Sequence, residues 1–186
     1  MTHIGIILGS TRANSNGEQV AAWVHDVASR RGDAKFELID LREHDLPHLD
    51  EPVAAMFGRY QHEHTKRWSA RIAPLDGFVL VTPEYNHATS AALMNALDYL
   101  YAEWNNKAAG LVSYGVVGGA RAAEQLRLAC GALQLADVSQ QVTLSLATEF
   151  EGYSTFRPGE QSVAALGTML DQVVAWSAAL APLRAT

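Results

Sequence analysis

Three short stretches of this chain are apolar almost without interruption: His3 to Leu8, Gly77 to Val81 (GFVLV) and Ala108 to Val112 (AAGLV). Runs of that length without alternation suit strands buried on both faces, the condition of a parallel sheet covered by helices. Phe36, Leu38 and Leu41 alternate less cleanly and predict a second strand. Val138 to Leu146 (VSQQVTLSL) is the most polar strand candidate and is placed at a sheet edge. Helical patterns fill the intervals. Val20, Val24, Val27 and Ala28 mark the first, which Gly32 stops, and further helices are expected over Phe57–Ile72, Thr89–Trp104, Arg121–Leu135 and Gln161–Leu180. In the last, Val163, Leu166, Leu170, Val173 and Ser177 share a face. Strands alternating with helices imply right-handed βαβ units, hence an α/β, doubly wound, five-stranded parallel sheet with helices on both faces. Ligands of such sheets bind beyond the carboxyl ends of the strands. Three loops therefore matter: Gly9–Gly17, Thr82–Thr89 and Ser113–Ala120.

At 186 residues, with no internal repeat and no linker-like stretch, the chain is expected to form a single domain over 1–186. Its net charge of −6 argues against nucleic acid or an anionic membrane surface as a partner. The apolar run at the N-terminus is too short to cross a bilayer and carries no signal-peptide pattern. The one cysteine, Cys130, lies in the apolar stretch LACGAL and reads as a small core residue; no CxxC exists to hold a metal or cluster. A cytoplasmic setting is the expectation.

The first loop, GSTRANSNG, lies between a strand and a helix. It lacks both the G-x-G-x-x-G dinucleotide pattern and the lysine of a P-loop. It does offer Ser10, Thr11, Arg12, Asn14, Ser15 and Asn16 at a helix N-terminus. Free N–H groups and the positive end of the helix dipole favour an anion there, and a guanidinium fork suits phosphate. An ordinary polar turn in which Ser15 or Asn16 caps the helix uses the same residues, so two readings stay open.

The second loop begins TPEYNHATSAALMNALDYL and the third SYGVVGGARAAEQLR. Tyr85 offers a flat surface at the mouth of the sheet, Asn86 a turn with a donor and an acceptor, and Gly115, Gly118 and Gly119 a close approach of backbone to ligand. Taken singly, each is also compatible with a plain βα turn.

GSTRANS, PEYNHATSAALMNALDYL and SYGVVGGARAAEQLR, in this order and at these strand ends, resemble the NADPH-dependent FMN reductase family, flavodoxin-like enzymes that include quinone, chromate and azo-dye reductases. The resemblance implies strand order 2-1-3-4-5 and FMN as cofactor. It implies that Ser10, Arg12 and Ser15 hold the FMN phosphate, with Asn16 and Gly17 contributing backbone. Pro83, Glu84, Tyr85 and Asn86 would line the isoalloxazine, and Ser113, Tyr114, Gly115 and Gly119 its pyrimidine end. The chain departs from the family where a proline after PEYN is missing and where Met94 replaces a lysine before Asn95. Both departures fall on the wall a second substrate would approach.

The implied activity is transfer of electrons from NADPH or NADH, visiting the exposed ring face transiently, to quinones, free flavin or similar flat small-molecule acceptors by a ping-pong mechanism. The flavin carries the chemistry, so no catalytic acid–base pair is expected. The alternative is a flavodoxin-type electron carrier without its own nicotinamide turnover. His87, next to PEYN, is a candidate for the substrate pocket. His62 and His64, two apart in a helix, are expected to point away from each other, and His44, Asp45, His48, Asp50 and Glu51 read as a solvated loop rather than a metal site. The helix at Thr89–Trp104 is apolar nearly all round, more than one sheet face can cover. The excess predicts a homodimer or dimer of dimers with this helix at an interface.

Overall fold

The computed structural model describes residues 1–184. Five parallel strands, β1 (Thr2–Leu8), β2 (Ala34–Asp40), β3 (Gly77–Pro83), β4 (Lys107–Gly115) and β5 (Leu135–Ser145), form one sheet in the order β2-β1-β3-β4-β5. This is the order the resemblance implied, with the polar β5 at an edge. Every residue of the central strands β3 and β4 is buried, which is why those sequences show no alternation.

Helices α1 (Asn16–Ser29) and α5 (Glu160–Leu180) cover one face, and α2 (Glu63–Ile72), α3 (Ala91–Asp98) and α4 (Ala120–Ala132) the other. Two cores result because β1 sends Ile4, Ile6 and Leu8 to the first face and Ile7 to the second. By length and a mean hydropathy of 1.4, the segment Glu160–Arg184 could cross a membrane. Here it lays Leu166, Met169, Leu170 and Val173, each fully buried, against the sheet.

Three helix expectations need correction. The helix expected from Phe57 begins at Glu63; Phe57 closes a 3-10 turn that ends at Gly58 in the left-handed region (φ 61°). The helix expected to begin at Arg121 and reach Leu135 is Ala120–Ala132, and Leu135 already starts β5. The helix expected over Thr89–Trp104 ends at Asp98, and the chain then turns inward. Tyr99, Leu100 and Trp104 are nevertheless at most 1% exposed. The Tyr99 hydroxyl donates to Asp50 Oδ1 at 2.9 Å, and the Trp104 ring packs 4.8 Å from Phe78. Part of the apolar excess is therefore buried within this chain, while Ala91 stays exposed and Ala92, Met94 and Tyr101 are only partly buried. A hairpin that sequence periodicity missed, β6 (Phe150–Glu151) with β7 (Thr155–Phe156), follows β5.

Candidate functional site

The β1–α1, β3–α3 and β4–α4 loops meet at the carboxyl ends of their strands around a cleft of about 150 Å³. Of the residues singled out in the sequence, Arg12, Ser15, Asn16, Pro83, Glu84, Tyr85, Tyr114 and Gly115 line it, together with Leu146 just past β5. A larger cavity of about 430 Å³ lies beyond, between β5 and α5, walled mainly by uncharged amides and hydroxyls. The smaller cleft lies where the switch-point rule places a ligand and collects the chemistry of three loops.

Ser15 occupies the N-cap position of α1, with extended backbone (φ −75°, ψ 147°), yet its side chain accepts no N–H from the helix. Its hydroxyl oxygen is buried and without a partner, as is that of Tyr114. Ser90 shows what ordinary capping looks like here: its hydroxyl accepts from Leu93 N at 3.1 Å and donates to the Gly9 carbonyl. Burying a hydroxyl without a partner costs about 1–3 kcal/mol. Two such groups at one helix N-terminus, with Arg12 beside them, form a donor set that an anion completes. Burial pushes the Tyr114 phenol up to about 12, reinforced by Tyr85, while the charge of Arg12 and the hydroxyls of Ser10 and Ser15, near enough to act on it but outside hydrogen-bond geometry, pull the other way. The group stays a neutral donor at physiological pH. The plain-cap reading of the loop therefore fails at Ser15, and the chemistry fits a phosphate.

Gly17 explains how Tyr114 comes so close. A Cβ at residue 17 would run into the Tyr114 hydroxyl and sit 3.0 Å from Leu8 Cδ1. The ring of Tyr114 thus lies under the first turn of α1, which places its hydroxyl with the anion loop rather than at the far end where the resemblance put the residue. Gly119 has φ 72° and packs against the Tyr114 backbone, where a Cβ would meet Tyr114 N at 2.8 Å. Ser113 donates to Gly118 O at 2.8 Å and so shapes this loop without facing the cleft.

Tyr85 is 37% exposed, and its hydroxyl lies 3.0 Å from Ser10 Oγ. That hydrogen bond ties the aromatic wall to the first loop and uses the Ser10 hydroxyl. Tyr85 and Ala88 exchange two backbone hydrogen bonds across Asn86 and His87, both with positive φ (52° and 67°). The result is a tight turn whose two central residues are not among those lining the cleft. Asn16 points its amide away from the loop, donating to Tyr153 O of the hairpin at 2.9 Å.

Sequence reasoning missed Leu146 and Arg121. The end of β5 was a visible signal for Leu146. None marked Arg121 as the partner of Glu84, 37 residues earlier. His62 and His64 also differ from expectation. His62 sits at the N-cap position with extended backbone, outside α2, and the two rings stack 5.2 Å apart instead of diverging. His64 Nε2 lies 2.9 Å from Asp50 Oδ1, and Glu51 accepts the N–H groups of Gln61 and His62. This network pins the 48–62 loop to α2. Burial pushes the Cys130 thiol up to about 12, an inert core group.

Comparison with known proteins bears on this geometry. A family model described as NADPH-dependent FMN reductase matches residues 2–149. An NAD(P)H-dependent FMN reductase of Nectria sp is 42% identical over 132 residues, covering 68% of this chain and 66% of its own length. The chain thus spans just under two thirds of that relative. A 2-hydroxy-1,4-benzoquinone reductase of Burkholderia sp is 30% identical over 144 residues, covering 74% of each chain. Among solved structures, the flavoenzyme NAD(P)H:(acceptor) oxidoreductase FerB of Paracoccus denitrificans superposes with a TM-score of 0.73 over 95% of this chain and 97% of that one, at 22% identity. That last likeness speaks for the fold.

Proposed function

The chain belongs to the NADPH-dependent FMN reductase family, and from that premise we propose that it is an FMN-dependent oxidoreductase that passes electrons from NADPH or NADH to quinones, free flavin or similar flat acceptors. The observation that carries this reading is the pair of buried, unpartnered hydroxyls, Ser15 and Tyr114, beside Arg12 at the N-terminus of α1. They are the donors a terminal phosphate requires, on the loop the family resemblance assigns to it.

When bound, FMN supplies hydride acceptance and electron release, so the chain needs no acid–base pair. Arg12, Ser15, Tyr114 and the first backbone N–H groups of α1 hold the phosphate. Gly17 keeps that turn open to Tyr114. Tyr85, braced by Ser10, would supply the aromatic surface for the ring, and Pro83, Glu84, the Tyr85–Ala88 turn and Gly115 would border it. Ser113 and Gly119 fix the glycine loop without touching the ligand. Asn86 and His87, at the tip of their turn, border the opening through which donor and acceptor enter in turn. One opening serving two substrates gives ping-pong kinetics. A single domain, a cytoplasmic setting and a homodimer or dimer of dimers complete the proposal, the assembly resting on Ala91, Ala92, Met94 and Tyr101, which the chain itself leaves exposed or partly buried.

The test separates a reductase from a carrier. Under anaerobic conditions, the yellow FMN-loaded protein should bleach within minutes of adding NADPH or NADH, and a quinone should restore the colour. Full flavin occupancy without bleaching by either nucleotide would leave a flavodoxin-type carrier.

A further inference from the structure

Among the described residues, Glu84 is the one carboxylate in the wall of the cleft. Its side chain is only 7% exposed, against 46% for its partner Arg121. Arg121 Nη1 donates to Glu84 Oε1 at 2.5 Å and Arg121 N donates to Oε2 at 3.1 Å, while Glu84 N donates to Tyr114 O at 3.0 Å. Glu84 thus belongs to the cleft wall just past β3, with both carboxylate oxygens engaged by Arg121, and the cation that neutralises it stands in the first turn of α4, outside the cleft lining.

Capping α4 does not require this arrangement. A glutamine oxygen would accept the same backbone N–H without bringing a charge out of water, and burying a carboxylate is unfavourable even when it is paired. What a buried charge does and a neutral amide does not is impose a field on the cleft. With FMN bound, a hydride from a nicotinamide would bring two electrons and one proton-equivalent to the ring, leaving the nicotinamide oxidised and the ring with one added negative charge. A bare carboxylate in the wall opposes that addition; a guanidinium paired with it relieves the opposition.

Resting on the FMN reading above, we propose that Glu84 and Arg121 together set the reduction potential of the bound flavin, Arg121 cancelling from outside the cleft the field of the Glu84 carboxylate. Arg121 is accordingly a tuning residue, acting through Glu84. The pair fixes the potential by its balance, so removing either member shifts it, and the two shifts have opposite signs.

Midpoint potentials of the FMN-loaded wild type and of Glu84→Gln, Arg121→Gln, Arg121→Lys and the double glutamine variant, measured by anaerobic dye equilibration, test this. Arg121→Gln should lower the equilibrium constant for reduction by about tenfold, which for a two-electron couple is about 30 mV. Glu84→Gln should raise it by a similar factor. Arg121→Lys and the double variant should stay within about threefold of wild type. Loss of the α4 cap alone would lower thermal stability without reversing the sign of a potential. Shifts in the same direction, or below about twofold, in variants with stoichiometric FMN would overturn the proposal while leaving the cofactor assignment intact. A wild-type protein that takes up no FMN would overturn both.

Discussion

β4 carries a buried polar side chain near each end, Lys107 at its first residue and Tyr114 one before its last, and the fold treats them in opposite ways. Lys107 is 4% exposed and fully engaged: its ammonium donates to Ile72 O at 3.2 Å and Ala73 O at 2.9 Å, and it lies 5.5 Å from the centre of the Phe78 ring. It closes the carboxyl end of α2, beside an Arg184–Asp76 ion pair at 2.6 Å. Tyr114 is as buried, at 5%, but its hydroxyl has no partner. Burial acts on both: it pushes Lys107 down to about 8, helped by the charge of Arg184, and Tyr114 up to about 12. The difference is in hydrogen bonding. A satisfied buried group holds the fold together; an unsatisfied one, at the end of the sheet where ligands bind, is held ready for something outside the chain.

The largest expected effect breaks the ligand end. Gly17→Ala puts a methyl group against the Tyr114 hydroxyl, so the first turn of α1 must move. FMN affinity should fall by about a hundredfold or more, some 3 kcal/mol. Adding Tyr114→Phe, which removes the colliding oxygen, should recover part of the loss. Flavin fluorescence titration checks both, and equal affinities for Gly17→Ala and wild type would separate Tyr114 from the anion loop.

A smaller effect probes the other end. Lys107→Met leaves two helix-terminal carbonyls without their donor and should cost about 1–3 kcal/mol of stability at pH 7. The pH dependence is the sharper readout. Because the folded pKa of Lys107, about 8, lies below its ordinary 10.5, the unfolded chain binds more protons across that window. The penalty for burying the charge is complete below about pH 8 and fades as pH rises toward 10.5. Wild-type stability relative to Lys107→Met should therefore increase from pH 8 to 10.5 in denaturant titrations. A difference that stays flat would mean that Lys107 is not the buried cation described here.

The smallest effect sharpens the contrast directly. Tyr114→Phe removes an oxygen that makes no bond in the chain alone, so the FMN-free protein should keep its stability or gain up to about 1 kcal/mol. FMN should bind about tenfold more weakly, while riboflavin, lacking the phosphate, should bind both proteins alike. A loss of stability without FMN would show that the hydroxyl already has a structural partner.

The cleft was legible wherever its residues lie within one contiguous stretch. Arg12 and Ser15, Pro83 to Tyr85, and Tyr114 and Gly115 each stand at the end of a recognisable buried strand, and eight of the cleft's nine lining residues come from those loops. Side-chain direction was not legible. Asn16 turns its amide to Tyr153, Ser113 turns inward to Gly118, and Ser10 joins Tyr85. Each choice depends on a neighbour brought in by the fold, and Tyr153 is 137 residues away from Asn16. Helix lengths failed for a related reason. The run from Ala91 to Trp104 is apolar enough to continue as a helix, but turning inward at Tyr99 buries Tyr99, Leu100 and Trp104 against β3, α2 and the 47–50 loop. Tertiary burial outweighed local propensity.

The amino-acid sequence by itself determined the alternation of strand and helix, the two-sided burial of β3 and β4 and the loops that meet at the carboxyl ends, because these follow from hydrophobic periodicity and turn chemistry acting over a few residues. Only the tertiary structure decided which hydroxyls stay unpaired, that Arg121 pairs with Glu84, and that Tyr99, Leu100 and Trp104 are covered from within. Those outcomes depend on distances between groups far apart in the chain, and a hydrogen bond or a buried charge is decided within a few ångströms.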